Sequence, residues 1–460
     1  MNSPVRSNGT RWAALLMLLV CILTASGFSA TCNANPRLAS SFIEGYYPAD
    51  WTAAQWDTLY TNQKNACINH VIIQYTAQSD PGNMVVYYPA GSAVTSLGFT
   101  SGGSSDVIGN ALTEADKAQY QTSVVVGLQL NETEWFSSAG NAAWLDNQLV
   151  IARVLANDIW SKYGSHASFN GWYLPFEVDN CQLQTSTDVN TFVDHFLGPL
   201  TKTLNNLNSS KPVYMSPAFD TIPGDGCGSL SAWGTEWQTL LQRMKSNTST
   251  NGYLGVIALQ DGVGALLNQT SVLASWYSSL KNTIAAAQLP HPISLWANTE
   301  VYYDPNAANP MSLNLVVADM QAVQPYVAAY TSFTWAEFYN PQFVNSAYNA
   351  TYLSYLSTGA VDGMAPTAPT GLTATAGPTG SRRIDLAWSA ATDNFGVVAY
   401  RIYRNNSLLT TLYGVGTGNP PRLYKNSGLS RGVTYSYKVY AVDPAGNLSL
   451  ASNTASATAR

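Results

Sequence analysis

Charge is scarce in this 460-residue chain: Asp, Glu, Lys and Arg make up 10% of it, where an average soluble domain has about a quarter. The net charge is −6 and no run of Lys or Arg occurs. No cluster of positive charge is therefore available to neutralise a phosphate backbone, and nucleic acid is not expected as a partner. Histidine is rarer still. His70, His166, His195 and His291 are scattered, and His70 and His291 precede strand-like runs. None of the five cysteines sits in a C-x-x-C pair or beside a histidine, so no metal site is expected. There is no G-x-S-x-G, and no G-x-G-x-x-G follows the first strand-like run. These absences argue against a serine hydrolase and a dinucleotide-binding fold, and no cofactor is expected.

What the chain does have is aromatic side chains, 12% of the residues, with 13 Trp and 27 Tyr. Many aromatics and little charge suit an extracellular protein that touches neutral polymers. The N-terminus agrees. Arg6 and Arg11 precede an apolar run from Trp12 to Leu23, followed by the small residues Ala25, Ser26 and Gly27. This is the pattern of an export signal over residues 1–30, too short for a comfortable transmembrane span. A secreted or periplasmic monomer, free of the membrane after cleavage, is expected. Cys21 leaves with the signal. Cys32, Cys67, Cys181 and Cys227 remain, and an even count in an oxidising compartment predicts two disulfides. Of the possible pairings, Cys32–Cys67 and Cys181–Cys227 each join neighbouring segments and are favoured. Asn131, Asn208 and Asn247 begin N-x-S/T sequons.

Eight nearly all-apolar runs follow: 42–47, 70–76, 123–130, 169–177, 212–219, 253–260, 293–300 and 330–338. Strands buried on both faces read this way. Amphipathic helix patterns lie between them, for example at 143–163, 187–206, 270–288 and 311–327. Eight such repeats predict an α/β fold, a (β/α)₈ TIM barrel. The long polar connection 77–111 follows the second strand and is expected over the barrel mouth. The composition changes near residue 360, at APTAPTG (Ala365–Gly371). The expected organisation is a barrel over 31–360, a linker over 361–370 and a C-terminal all-β sandwich over 371–460. In that last part Trp388 lies in IDLAWSAA, and Tyr435 stands six residues after Leu429, as in a tyrosine corner. With Tyr437, these residues give it a resemblance to fibronectin type III domains.

Chemistry in a barrel belongs to the C-terminal strand ends. Glu44, Glu132, Glu134, Glu177, Asp179, Asp220, Asp261, Glu300 and Glu337 fall at or just past seven of the eight ends, from only 27 acids in the chain. Glycosidic cleavage needs two carboxyls on either side of the bond. Glu177 on strand 4 and Glu300 on strand 7 can face each other across the mouth. Asp261, in QDGVG, reads more simply as a turn former, with Gln260 as the ligand contact. Tyr46, Tyr75, Trp135, Phe219, Tyr302 and Trp335 are candidates to stack on sugar faces, Tyr46 and Trp335 foremost, while Trp172 and Trp296 lie mid-strand and suit the core. Asp179, Asn298 and Glu337 are further contact candidates.

The segments GWYLPFEVDN (171–180), PVYMSPAFD (212–220), ALQDGVG (258–264) and SLWANTEVYY (294–303) resemble an uncharacterised bacterial domain family, itself similar to clan A glycoside hydrolases. The resemblance covers about 40–355. It implies Glu177 as acid/base and Glu300 as nucleophile of a retaining hydrolase of a poly- or oligosaccharide. Clan A usually has Asn before the acid/base. Here that position is Phe176, and Asn298 is a candidate substitute. Two other classes remain open: a non-catalytic carbohydrate-binding or exopolysaccharide-matrix protein, and a structural cell-surface protein.

Overall fold

The structure is a computed structural model that describes residues 32–304 and 309–460. The expected export signal lies outside the described residues. Eight short strands lie side by side, all parallel: β1 Ser40–Ile43, β2 His70–Ile73, β3 Ser123–Gly127, β4 Phe169–Leu174, β5 Val213–Met215, β6 Val256–Gln260, β7 Ser294–Glu300 and β8 Ala329–Phe333. Their order in the sheet is their order in the chain. The sheet closes on itself: the Ala39 N–H donates to the Tyr330 carbonyl at 2.9 Å, and Ser332 Oγ to the Ser40 carbonyl at 3.3 Å. The chain is thus a (β/α)₈ barrel followed by a β-sandwich.

Each strand is shorter than the apolar run that announced it, because apolar residues of the flanking turns lengthen the run. Strand β1 stops at Ile43, so Glu44 is the first residue past the end. The run 330–338 divides into β8 and a short helix, Trp335–Phe338, which carries Glu337. The 77–111 connection is not merely a loop. It forms a small sheet from Ala77–Asp80, Asn83–Val86 and Thr100–Ser101, to which Gln129–Leu130 adds after β3.

Two apolar layers hold the barrel. The interior is filled by Phe42, Ile72, Val125, Tyr173, Tyr214 and Val256, with Trp296 and Phe333 packed against them. Alternation along each strand sends the other residues outward against helices such as Ala142–Tyr163 and Thr270–Ala287. At the lower end His70 sits between Tyr214 and Trp296, with ring centroids 5.7 and 5.6 Å away, and its Nδ1 meets Ser123 Oγ at 2.5 Å. Burial pushes this imidazole down to about 4. It is a neutral core residue, far from any strand-end chemistry. Disulfides join Cys32 to Cys67 and Cys181 to Cys227, with Cα atoms 5.9 and 4.1 Å apart.

The C-terminal region forms two antiparallel sheets of three and four strands between Thr370 and Thr458. Trp388 is buried edge-on to Tyr400, and the Tyr435 hydroxyl accepts the Ser430 N–H at 3.2 Å, the bond of a tyrosine corner. The sandwich is docked on the barrel. Its Pro444 and Ala445 carbonyls accept the Leu313 and Asn314 N–H groups at 3.0 and 3.2 Å. These are first-turn donors of helix Leu313–Val323 that have no partner within the helix.

The interior layer makes a direct test. Phe42 meets Tyr173 and Phe333 at 5.0 and 5.9 Å in the barrel centre. Phe42→Ala should lower the unfolding free energy by about 3–5 kcal/mol, the range for truncating a packed core Phe, measured by urea denaturation.

Candidate active site

The upper ends of the strands enclose a cavity of ≈ 270 Å³. Its acids are Glu44, Glu132, Glu177 and Glu300, its amides Gln74, Asn131 and Gln260, and its aromatic walls include Trp135, Tyr302 and Phe333. Among the described residues, no Lys, Arg or His lines it. Both carboxyls expected from strands 4 and 7 therefore open into one space.

Each is held by the chain around it. Glu177 follows β4 after Pro175, and its own carbonyl accepts the Trp135 indole N–H at 2.6 Å. The Trp135 ring stacks on Phe176 at 4.8 Å. Phe176, where a sugar-binding Asn was the family expectation, thus packs away from the cavity and pins the strand end. Glu300 closes β7. Its backbone N–H donates to both oxygens of Asp261 at 3.3 Å. Its Oε2 accepts the Ala265 N–H at 2.7 Å, and Oε1 accepts the Tyr302 hydroxyl at 3.4 Å. The Gly264 N–H also favours its charged form. A side chain at Gly264 would strike the Tyr302 carbonyl at 2.2 Å and Glu300 Oε2 at 3.1 Å, so this approach requires glycine.

The two acids differ in what stabilises their charge. Burial pushes Glu177 up to about 7, the Glu300 charge adds to this, and one side chain, Gln260, hydrogen-bonds against it. Burial likewise pushes Glu300 up to about 7, but two backbone N–H groups and a hydroxyl counter it. A carboxylate with three donors holds negative charge better than one with a single donor.

Gln260, Trp135 and Tyr302 also line this space. Other expected contacts stand elsewhere. Phe219 is buried and stacks on Trp276 at 4.5 Å. Trp335 and Tyr75 are fully enclosed, because the turns after their strands fold back into the wall. Asn298 is buried with Nδ2 on Ser216 Oγ at 3.0 Å. Asp179 accepts the Cys181 and Gln182 N–H groups at 2.8 and 2.9 Å and shapes the disulfide loop instead. Tyr46 is half exposed outside the cavity, with its hydroxyl bonded to Glu44. Glu337 pairs with Glu44, whose N–H reaches its Oε1 at 3.5 Å, and borders a second cavity against the sandwich. Burial and the Glu44 charge push Glu337 up to about 8. Asp261 does accept the Val263 N–H of its turn, and it also anchors Glu300. The sequence reading named no role for Gln74, Phe136 or Phe333. Gln74 directly follows β2, and a search of strand ends for amides as well as acids would have found it.

Among the described residues, two clusters have metal-ligand spacing, Cys181–Asp220–Cys227 and Asp362–Asp393–Asp443. The first has both sulfurs in a disulfide, and the second lies at the linker and sandwich, away from this cavity.

Residues 40–345 match the family model described as "Domain of unknown function (DUF4434)". The chain belongs to this family. Its barrel also resembles the crystal structure of a Bacteroides thetaiotaomicron protein provisionally assigned as an alpha-L-fucosidase. That likeness has a TM-score of 0.53 at 17% identity and covers 74% of this chain and 94% of the other. Among curated proteins, Chitinase A1 of Niallia circulans is 30% identical over 250 residues, 51% of this chain and 32% of that protein. Exoglucanase A of Cellulomonas fimi is 38% identical over 116 residues, 25% of this chain and 12% of that protein. The chain thus spans a third or less of the curated relatives it matches.

The raised carboxyls give stability a definite sign with pH. Glu177, Glu300 and Glu337 bind protons more tightly folded, at about 7, 7 and 8, than at the ordinary value of 4.5. Their contribution is complete below about 4.5 and is lost as pH rises through 7 to 8. The melting temperature of the wild type should therefore be higher at pH 5.5 than at pH 8.5. In a Glu177→Gln, Glu337→Gln double variant this difference should shrink. Calorimetry at the two pH values checks both.

Proposed function

We propose that this DUF4434 protein is a secreted glycoside hydrolase that cleaves a polysaccharide or oligosaccharide with retention of configuration. One observation carries the reading: two carboxyls from the ends of β4 and β7 open into the same aromatic-walled cavity with unequal donor sets. The glycosidase names among its relatives and the two disulfides support it. Disulfides persist in extracellular compartments. No helix among the described residues is long and apolar enough to cross a membrane.

In this mechanism Glu177 starts protonated and Glu300 ionised. Glu300 attacks the anomeric carbon as the bond to the leaving oxygen breaks, and that oxygen takes the Glu177 proton. The sugar is left covalently bound to Glu300. Glu177, now a base, removes a proton from water. The water oxygen bonds to the anomeric carbon, the ester to Glu300 breaks, and both carboxyls return to their starting states. Tyr302 and the Ala265 and Gly264 N–H groups hold the Glu300 oxygens in line. Gln260 donates to the Ser216 carbonyl at 2.9 Å and lines the cavity with Glu177.

The mature protein should hydrolyse a member of a polysaccharide panel, and Glu177→Gln and Glu300→Gln should each lower kcat by about 10³-fold or more while remaining folded. Because Glu177 must carry a proton, kcat/KM should fall as pH rises above about 7. Proton NMR of the first product should show the substrate's own anomer. Binding of a polymer by the wild type with no cleavage, or full activity in the Glu300 variant, would overturn the assignment.

A further inference from the structure

Sugar cleavage occupies two carboxyls, and this cavity holds two more. Glu132 follows β3, four strands round the barrel from β7, and Glu44 lies just past β1, two strands from β7. Glu132 makes no hydrogen bond or ion pair within the described chain. It is exposed at the cavity rim and faces further negative charge, from Asp80, Glu44 and Glu177. Among the described residues, no basic side chain lines the cavity to balance any of these. Nor do the four acids form an ion cage, since among the described residues they are not one of the groups whose oxygens lie within 4.8 Å of one another.

Beside them stands an independent mark of a ligand. Gln74 is 6% exposed, its Oε1 is buried without a hydrogen-bond partner, and it lines the same cavity. A buried amide oxygen left unbonded is unfavourable, and a turn of the Gln74 amide toward the cavity would let a donor there satisfy it. The partners this wall calls for are therefore a positive charge and N–H donors. Among sugars, a free amine supplies both at once. An N-acetyl group removes the charge, and a hydroxyl never carries one.

We propose that Glu44, Gln74 and Glu132 form a subsite for a protonated amino sugar, so that the polymer this protein binds is a hexosamine polymer with unacetylated amines. The identity of the substrate rests on the hydrolase reading, whereas the cationic subsite stands on the cavity wall alone. Aromatic contacts from Trp135 and Phe136 at the same wall suit the apolar faces of the sugar rings.

The test uses full-length mature protein with chelator throughout. The Glu300→Gln variant is titrated calorimetrically with unacetylated glucosamine and galactosamine oligomers, their N-acetylated forms, and a neutral glucan. An unacetylated oligomer should bind at least about tenfold more tightly than its acetylated form, the scale of one partly exposed charge contact. Adding Glu132→Gln should remove that preference, and Glu44→Gln should reduce it, neither lowering the melting temperature. The preference should also vanish at alkaline pH, where the amine is neutral and the carboxylates remain charged. Equal or tighter binding of the acetylated or neutral polymer, an unchanged preference in the Glu132 variant, or no binding of any amine overturns the subsite. Hydrolysis of a neutral polymer without preference for amines also overturns it and leaves the hydrolase reading intact. Preferential binding of amines with no cleavage by the wild type keeps the subsite and removes the hydrolase.

Discussion

Too many acids in too little water is the constraint on which this molecule turns. The barrel brings carboxyls from several strand ends to one mouth, and among the described residues no cationic side chain lines it to balance them. Each ionised acid raises its neighbours' demand for a proton, and burial raises it further. The group with the most hydrogen-bond donors then takes the charge, and the others stay neutral at higher pH than a carboxyl in water would. The unequal donor sets of two chemically identical side chains follow from their surroundings alone.

The surroundings are backbone for the most part. Glu300 is fixed through Asp261, which grips its N–H, and through the Ala265 amide that meets its side chain. Glu177 is fixed through its carbonyl, held by Trp135. The indole can reach it because it lies flat on Phe176. The Cys181–Cys227 bridge ties the loop after β4 to the loop after β5. The sandwich contributes at a distance, accepting the first N–H groups of helix Leu313–Val323, which packs against β7.

The barrel was legible because strands buried on both faces have only one way to look, and eight such runs separated by helical patterns have few folds open to them. Their ends were read too long, since an apolar residue in the turn after a strand resembles one within it. Pro175, Phe176 and residues 334–338 are examples. The position of Glu177 and Glu300 followed from topology. The aromatic rim did not. Phe219 and Trp335 stand one strand-length from the mouth in sequence, yet the turns carry their rings back into the wall, and burial and exposure leave the same trace in composition. Gln74 was overlooked because the chemistry of cleavage draws attention to acids, whereas its significance lies in a missing partner, which only the folded chain displays.

The claim at the centre is that the two carboxyls sense one another. Carbon-13 NMR titration of the glutamate side-chain carboxyls, in wild type and in Glu300→Gln, reads it most directly. Glu177 should titrate near 7 in the wild type and measurably lower once its neighbour's charge is gone. A Glu177 that titrates in the ordinary carboxylate range, or that is unmoved by the substitution, would contradict the account.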